Sequence, residues 1–519
     1  MTSNVKRALE VIHLDEPLLE FAHGQQMAYP RDGLFLYGPV GDTKRLQTVN
    51  YGVIGTPVGV GHFRNWSKKI AGQIAVPLPG RRSRKVEPQH VPFPGFSEAF
   101  HAKWPVEPLH VISNLTSDEI EKALKIDNRH EAVRTAVDLF VSRLVEECNR
   151  LEKAPDLWFV IIPEMVYEFG RPKKSVPKSE RLSGHVSISQ SRAKRLLTEP
   201  TLFGDDEREA EVYQYATHFR RQLKARLLKD RIVTQIVRET TLAPNEFLRE
   251  NGMPIRRLED DATIAWKLGT GTYYKAGGRP WQLAAVRPGV CYVGLVYKKS
   301  DLTSDARHAC CAAQMFLSDG EGVVFRGALG PWFQTDTKQF HLDYAAAQSL
   351  IAMVVGEYER LHGKPPTELF LHAKSAFTES EWKGFLSGCG QDTNLVGVQI
   401  SDSRDDLKLF RSGEYPVIRG TALVVGERHA YLWTSGYAPR LDTYMGPETP
   451  NPISVKIIRG RAELETVLKD VLGLTKINFN SCLHNDRLPV TIRFANAVGD
   501  VLISAPMDGE PKLPFKFYI

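Results

Sequence analysis

The sequence predicts an α/β protein: a doubly wound, Rossmann-like domain followed by a domain with the strand order of the RNase H fold. Two observations predict it. First, Glu131 to Lys153 carries Val133, Val137, Phe140, Val141, Leu144, Val145, Cys148 and Leu151 as one helical stripe. AlaProAsp stops that helix, and Leu157 to Pro163 (LWFVIIP) follows as a strand apolar on both faces, the kind buried in a parallel sheet. Strand, long helix, strand is the doubly wound order. Second, the pattern changes from Val286. Three antiparallel strands come first, then helix–strand crossovers, which is the RNase H-like order.

The elements follow in chain order. Residues 1–50 read as strand- and turn-rich, with a turn at Pro30 to Gly33 and a strand in LFLYG. Gly38 to Lys44 (GPVGDTK) lacks the spacing and the adjacent Lys-Ser/Thr of a phosphate loop, so it reads as a turn. Tyr51 to Thr56 is a buried strand. The glycines that follow it run into HFRN and miss the dinucleotide fingerprint. Arg81 to Lys85 (RRSRK) is a basic loop, either solvated or resting on a phosphate backbone. Gly170 to Arg195 is polar and reads as a mobile excursion on the strand ends, where open α/β sheets bind ligands. Its Arg171, Lys173, Lys174, Arg192, Lys194 and Arg195 are either solvated or contact nucleic acid. In the second half, Val290 to Tyr297 is a strand. Ala309 to Leu317 and Gly322 to Arg326 flank SDGEG, a hairpin turn. His341 to His362 is a helix. Glu368 to Leu371, Leu395 to Ile400, Ala422 to Val425 and His429 to Thr434 are strands.

The 519 residues suffice for two or three domains, and 42% hydrophobic with 25% charged residues is ordinary for a soluble globular protein. A net charge of +6 and a pI of about 8.8 permit a polyanionic partner without demanding one. Six cysteines show no CxxC pair and no zinc spacing, and read as buried thiols of a reducing compartment. MTSNVKRALEVIHLDEP is charged throughout and no apolar run reaches membrane length, so the cytoplasm is expected.

The stretch that organises the rest is Thr217 to Leu242, a basic helix running into a short strand. Phe219, Leu223, Leu227 and Leu228 recur at helical spacing. Arg220 and Lys224, four apart, share one face. Gln235 sits within the β-branched run Ile232 to Val237. Two cations and an amide can converge on a terminal phosphate, and a solvated basic face is the competing reading. Downstream, Lys275 stands just ahead of Gly277-Gly278, and the sequence finishes on the aromatic run Phe515 to Ile519.

The arrangement K…Q…KxGG…apolar terminus resembles the MID–PIWI half of an Argonaute, the guide-binding family. The resemblance covers most of the chain and implies a Rossmann-like MID domain with an N-terminal extension over 1–285 and an RNase H-like PIWI domain over 286–519. It implies that Arg220, Lys224, Gln235 and Lys275 hold a guide 5′-phosphate. The first of these is commonly Tyr or His in the family, and Arg220 departs from that. It also implies that the Ile519 carboxylate, with Gln235 and the guide phosphate, holds a structural Mg²⁺. With no PAZ or N-terminal domain ahead of the MID, the chain is similar to the short prokaryotic Argonautes. These act with a partner that carries an APAZ region fused to an effector, a sirtuin-like or TIR NADase or a nuclease.

The same resemblance bears on cleavage. RNase H-type chemistry uses two Mg²⁺ ions held by several carboxylates. By the resemblance, Val296 and Lys374 stand where two family carboxylates would, Ala373 precedes Lys374, and Leu488 to Ala495 offers no acid or histidine. A valine and a lysine cannot hold a divalent ion, so no slicing is expected. The expected function is guide-dependent recognition: a 5′-phosphorylated guide, RNA by expectation, pairs with single-stranded DNA and activates the effector, depleting NAD or cutting nucleic acid in antiviral or antiplasmid defence. Two alternatives stand beside it. One is a metal-dependent nuclease with carboxylates relocated to Asp402, Asp405 and Asp406. The other is a nucleotide-binding α/β protein using the glycines from 38 to 61.

Overall fold

The computed structural model describes residues 9–41, 46–77, 89–198, 204–285, 287–299, 309–316, 322–330, 332–334, 339–403, 407–444, 448–506 and 513–519. The RRSRK loop, the last three residues of GPVGDTK and most of the SDGEG turn lie outside these.

The first described strand, β1 (Glu10–His13), belongs to the large sheet of the second half. Next comes α1 (Pro30–Leu36), where the sequence predicts a turn and a strand. The structure corrects both. Pro30 occupies the first helical turn, where its missing N–H costs nothing, and Asp32 lies in the same turn, which favours an acid. Arg31 and Asp32 are buried by distant partners: Arg31 Nε donates to the Cys482 carbonyl at 2.9 Å, and Asp32 accepts from Arg440 at 2.5 and 2.7 Å. A Cβ at Gly33 would lie 2.1 Å from the Phe21 ring, so the glycine marks close packing and not a turn.

The doubly wound layer follows. Its strands are β2 (Tyr51–Ile54), then, after helix α2 (Pro57–Ala71), β3 (His110–Ile112), and, after the long helix α3 (Arg129–Arg150), β4 (Leu157–Ile162). All six residues of β4 are buried, as a strand with helices on both faces requires. Short α4 (Glu164–Phe169) and α5 (Gln190–Thr198) lead to α6 (Phe219–Leu227) and the last strand, β5 (Thr234–Arg238). The sheet order is β3-β2-β4-β5, all parallel. The excursion after Gly170 is folded. Leu182 bridges to Ile126, Glu131 accepts from the main-chain N–H groups of His185 and Val186, and Ile188, Ala193, Leu196, Ala210 and Tyr213 form a small core. The helix α7 (Asp261–Lys275), capped by Asp260, closes this half.

In the second half, β6 (Val290–Lys299), β7 (Ala309–Phe316) and β8 (Gly322–Gly330) pair antiparallel. Helix α8 (Tyr344–His362) crosses to β9 (Glu368–Ala373), which runs parallel to β6, and β10 (Asn394–Asp402) runs parallel to β9. β11 (Thr421–Gly426), β12 (His429–Leu432), β13 (Ile453–Arg459), α9 (Leu464–Leu474), α10 (Val490–Leu502) and β14 (Leu513–Pro514) complete it. The ten-stranded order is β1-β11-β12-β13-β10-β9-β6-β7-β8-β14. Antiparallel strands followed by parallel crossovers are the RNase H-like arrangement expected from the sequence. Helix α10 lies directly on β6: a Cβ on Gly294 would sit 1.9 Å from the Thr491 carbonyl oxygen. Among the described residues, no helix is long and apolar enough to cross a membrane.

Candidate functional site

The stretch from Phe219 to Arg238 builds one wall of a cavity of about 390 Å³. Phe219, Leu223 and Leu227 anchor α6 in the core beneath α3, with Phe219 edge-on to Phe140 at 5.3 Å. That anchoring turns the Arg220–Lys224 face toward the cavity. Arg220 stands exposed at its rim, whereas Lys224 is only 3% exposed. Lys224 Nζ donates to the Thr234 carbonyl at 3.1 Å, to Thr234 Oγ1 at 3.3 Å and to the main-chain oxygen of Ile519 at 2.5 Å.

Lys275 enters from the opposite side. It is the last residue of α7, where the helix dipole favours a cation. The chain then turns away at Gly277, whose φ of +101° suits glycine. Lys275 Nζ donates to the same Thr234 carbonyl at 3.2 Å and to Gln235 Oε1 at 2.6 Å. All four expected phosphate residues, Arg220, Lys224, Gln235 and Lys275, therefore line one cavity, with Ile519 beside them. Phe515, packed on Phe494 at 4.4 Å, and the buried Tyr518 hold the segment that brings Ile519 there.

The electrostatics are unusual. Two lysines are buried within reach of one carbonyl, and their hydrogen-bond acceptors are main-chain oxygens, a hydroxyl and an amide. Burial and then the Arg220 charge pull Lys275 down to about 7. Burial, then Lys275 and Arg220, hold Lys224 well below the usual lysine range. A buried cation whose acceptors are a neutral carbonyl and an amide, as at Lys275, is costly, and a bound dianion would offset that cost. Ile519 and Gln235 present hard oxygens of the type Mg²⁺ takes beside phosphate. Both oxygens are already engaged by the lysines.

The structure adds residues that sequence reasoning missed. His218, the residue before α6, lines the cavity, and its Nδ1 has no hydrogen-bond partner among the described residues. Burial, then Arg221 and Arg220, pull it down to about 4, so it is a neutral ring at pH 7. Tyr167 also lines the cavity, with the Arg171 guanidinium 3.9 Å and the Arg238 guanidinium 3.5 Å from its ring centre. Arg238 is held in turn by Glu164, Nε to Oε2 at 3.0 Å. A histidine just before the helix and an arginine three residues past Gln235 were visible signals.

The expected backbone-contacting cations separate. Arg171 reaches the cavity. Lys174 pairs with Glu168 at 3.0 Å and Arg192 with Asp206 at 2.6 Å, Lys173 is exposed, and Lys194 is half-buried on α5. The structure does not bring these four to the cavity.

A second cavity, about 290 Å³, opens at the ends of β6 and β9. Val296, Lys374, Ser375 and Asn496 line it, and none of the described lining residues is Asp, Glu or His. Val296 and Lys374 thus share one place, beside the first turns of α10. Asp402 lies near Arg487, 3.3 Å away, and Asp405 and Asp406 fall outside the described residues.

The fold has solved counterparts. The chain is similar to Clostridium butyricum Argonaute, in a structure bound to a guide DNA and a 19-mer target DNA, at 15% identity and a TM-score of 0.59, over 98% of this chain and 55% of that one. It is similar to Drosophila Piwi at 13% identity and a TM-score of 0.57, over 98% and 56%, and to A. aeolicus Argonaute at 14% and 0.54, over 97% and 54%. At these identities the likeness defines the fold: an Argonaute MID–PIWI-like architecture. The chain spans little more than half the length of the structures it matches. No protein-family model and no curated protein matches the sequence.

Proposed function

We propose that this chain is the guide-binding subunit of a prokaryotic defence system of the short Argonaute type. The observation that carries the proposal is the buried Lys224–Lys275 pair, which meets at Thr234 inside a cavity rimmed by Arg220. A guide 5′-phosphate would supply an anion to Lys275, whose present acceptors are neutral: the lysines and Arg220 provide charge, and Gln235 provides directed donors once its amide turns to the phosphate. Mg²⁺, when bound, would be held by Ile519, Gln235 and the phosphate, and would lower the repulsion between phosphate and carboxylate.

The rest of the guide, RNA in this reading, pairs with a single-stranded DNA target. The protein reads phosphate and shape while base pairing reads sequence, so affinity falls with salt. In this reading Val296 and Lys374 stand at the RNase H-like cavity where metal-holding carboxylates would be needed, no described lining residue is an acid, and the chain does not slice. Activity belongs to an APAZ-containing partner, an NADase or a nuclease, switched on by target pairing. The test is to isolate the chain from its native context at moderate salt. Short 5′-phosphorylated RNA and one stoichiometric APAZ-type protein are expected, with the RNA lost in Lys224→Ala. Recovery without nucleic acid, or with nucleic acid that Lys224→Ala retains, would overturn the reading.

A further inference from the structure

The ten-stranded sheet has two dissimilar edges. At one, β14 is two residues long and ends in Pro514, which has no N–H to offer another strand. At the other, β1 contains no proline. Among the described residues it pairs on one side only, Glu10 opposite Val424 through His13 opposite Thr421. The outward main-chain groups of β1 are a template for one more strand. Leu9 is 67% and Val11 54% exposed there, an apolar display on an open edge.

Beside β1 lies a groove of about 510 Å³ with Ile12 and Leu468 in its floor and Glu10, Glu427, Glu463 and Glu465 around it. No Lys or Arg is among the described lining residues, and Lys469, outside the lining, pairs with Glu465 at 2.7 Å, so the groove presents acidic side chains on a chain whose overall charge is +6. A nucleic-acid strand is repelled by such a rim. A second copy meeting edge to edge would bring two acidic rims together, which is also unfavourable.

We propose that β1 and its groove dock an extended basic segment of a second protein. The segment adds a strand to β1 by main-chain hydrogen bonds, seats alternate apolar side chains over Ile12 and Leu468, and extends Lys or Arg to the glutamates. This surface stands apart from the phosphate cavity, and the proposal does not depend on guide binding.

The experiment uses the full chain and a fluorescent peptide of about eight residues alternating lysine and valine, the length of a typical strand. Three comparisons accompany it: the glutamate–valine peptide, a lysine–valine peptide N-methylated at alternate residues, and the Glu427→Lys/Glu465→Lys chain. Saturable binding of the cationic peptide is expected. Either altered peptide, or the double variant, should weaken it at least about tenfold, the factor that 1.4 kcal/mol represents. Slowed hydrogen exchange at Glu10–His13 should accompany binding. Equal binding of the N-methylated peptide, or no effect of the charge reversal, overturns the proposal. So does peptide binding that appears only after residues 1–8 are removed, because the chain would then be its own occupant. Concentration-dependent dimerisation lost in Val11→Lys would overturn it in favour of a second copy.

Discussion

Lys224 on α6 donates to the main-chain oxygen of Ile519 at 2.5 Å, across 295 positions of sequence. The contact ties Ile519, in the RNase H-like half, to the wall of the cavity lined by Arg220, Gln235 and Lys275. Extending the chain after Ile519 by a flexible tag must push further residues into buried space. The tagged chain is expected to lose 5′-phosphate affinity by about tenfold or more, as for one charge-assisted contact. Titration of tagged and untagged chain with the same guide checks it, and equal affinity would remove Ile519 from the site.

Lys275 makes the site sensitive to pH. Its folded value lies near 7, whereas the unfolded chain keeps the ordinary lysine value. Between about 7 and that ordinary value the unfolded chain binds more protons, so the stability of the unliganded protein rises with pH through this window. Guide binding has the opposite sign. A bound phosphate favours the charged lysine, so binding takes up a proton and affinity falls as pH rises above 7, by up to about tenfold per unit for one proton. Calorimetry in buffers of different ionisation enthalpy measures that uptake. No proton exchange near pH 8 would contradict it.

The cost of burying Lys275 can be read separately. Lys275→Met should raise the stability of the unliganded chain at pH 7 by at least about 1 kcal/mol, because a buried cation is exchanged for an apolar side chain of similar length. The gain should shrink as pH rises and the native lysine loses its charge. Denaturant unfolding at pH 7 and pH 9 gives both numbers. A variant less stable than the parent at pH 7 would show that the bonds to Thr234 and Gln235 outweigh desolvation.

Much of this was legible in the sequence because it is periodic or local. The stripe of α3 and the apolar run of β4 specify a helix and a buried strand unaided. Arg220 and Lys224 could be placed on one face by their spacing alone. Lys275 was legible as a lysine ahead of a Gly-Gly turn, given the resemblance. Other features depend on contacts between distant segments. Pro30 to Gly33 carries the chemistry of a turn, and only Cys482 and Arg440 show why it is helical. Tyr167, Arg171 and Arg238 form their stack from separate elements. Likewise, β1 joins its sheet through a strand more than four hundred residues away.

Gly294 offers a test of the second half. Its missing Cβ lets α10 lie on β6 with the Thr491 carbonyl in the vacated space. Gly294→Ala forces backbone against backbone and should destabilise the chain by about 2–3 kcal/mol, in the range of overpacked cores. A melting curve checks it. Wild-type stability would mean that α10 is free to move off the sheet.

The most direct test of the account compares two guides that differ only at the 5′ end. The affinity of one short RNA, with a 5′-phosphate and with a 5′-hydroxyl, is measured for the parent chain, Lys224→Ala and Lys275→Ala. The parent is expected to prefer the phosphate by roughly tenfold to a hundredfold, from charge-assisted bonds of about 1.5–3 kcal/mol. Each variant should lose most of that preference while keeping its affinity for the hydroxyl guide. A parent chain that binds both guides equally would contradict the assignment of Lys224 and Lys275 as a phosphate site.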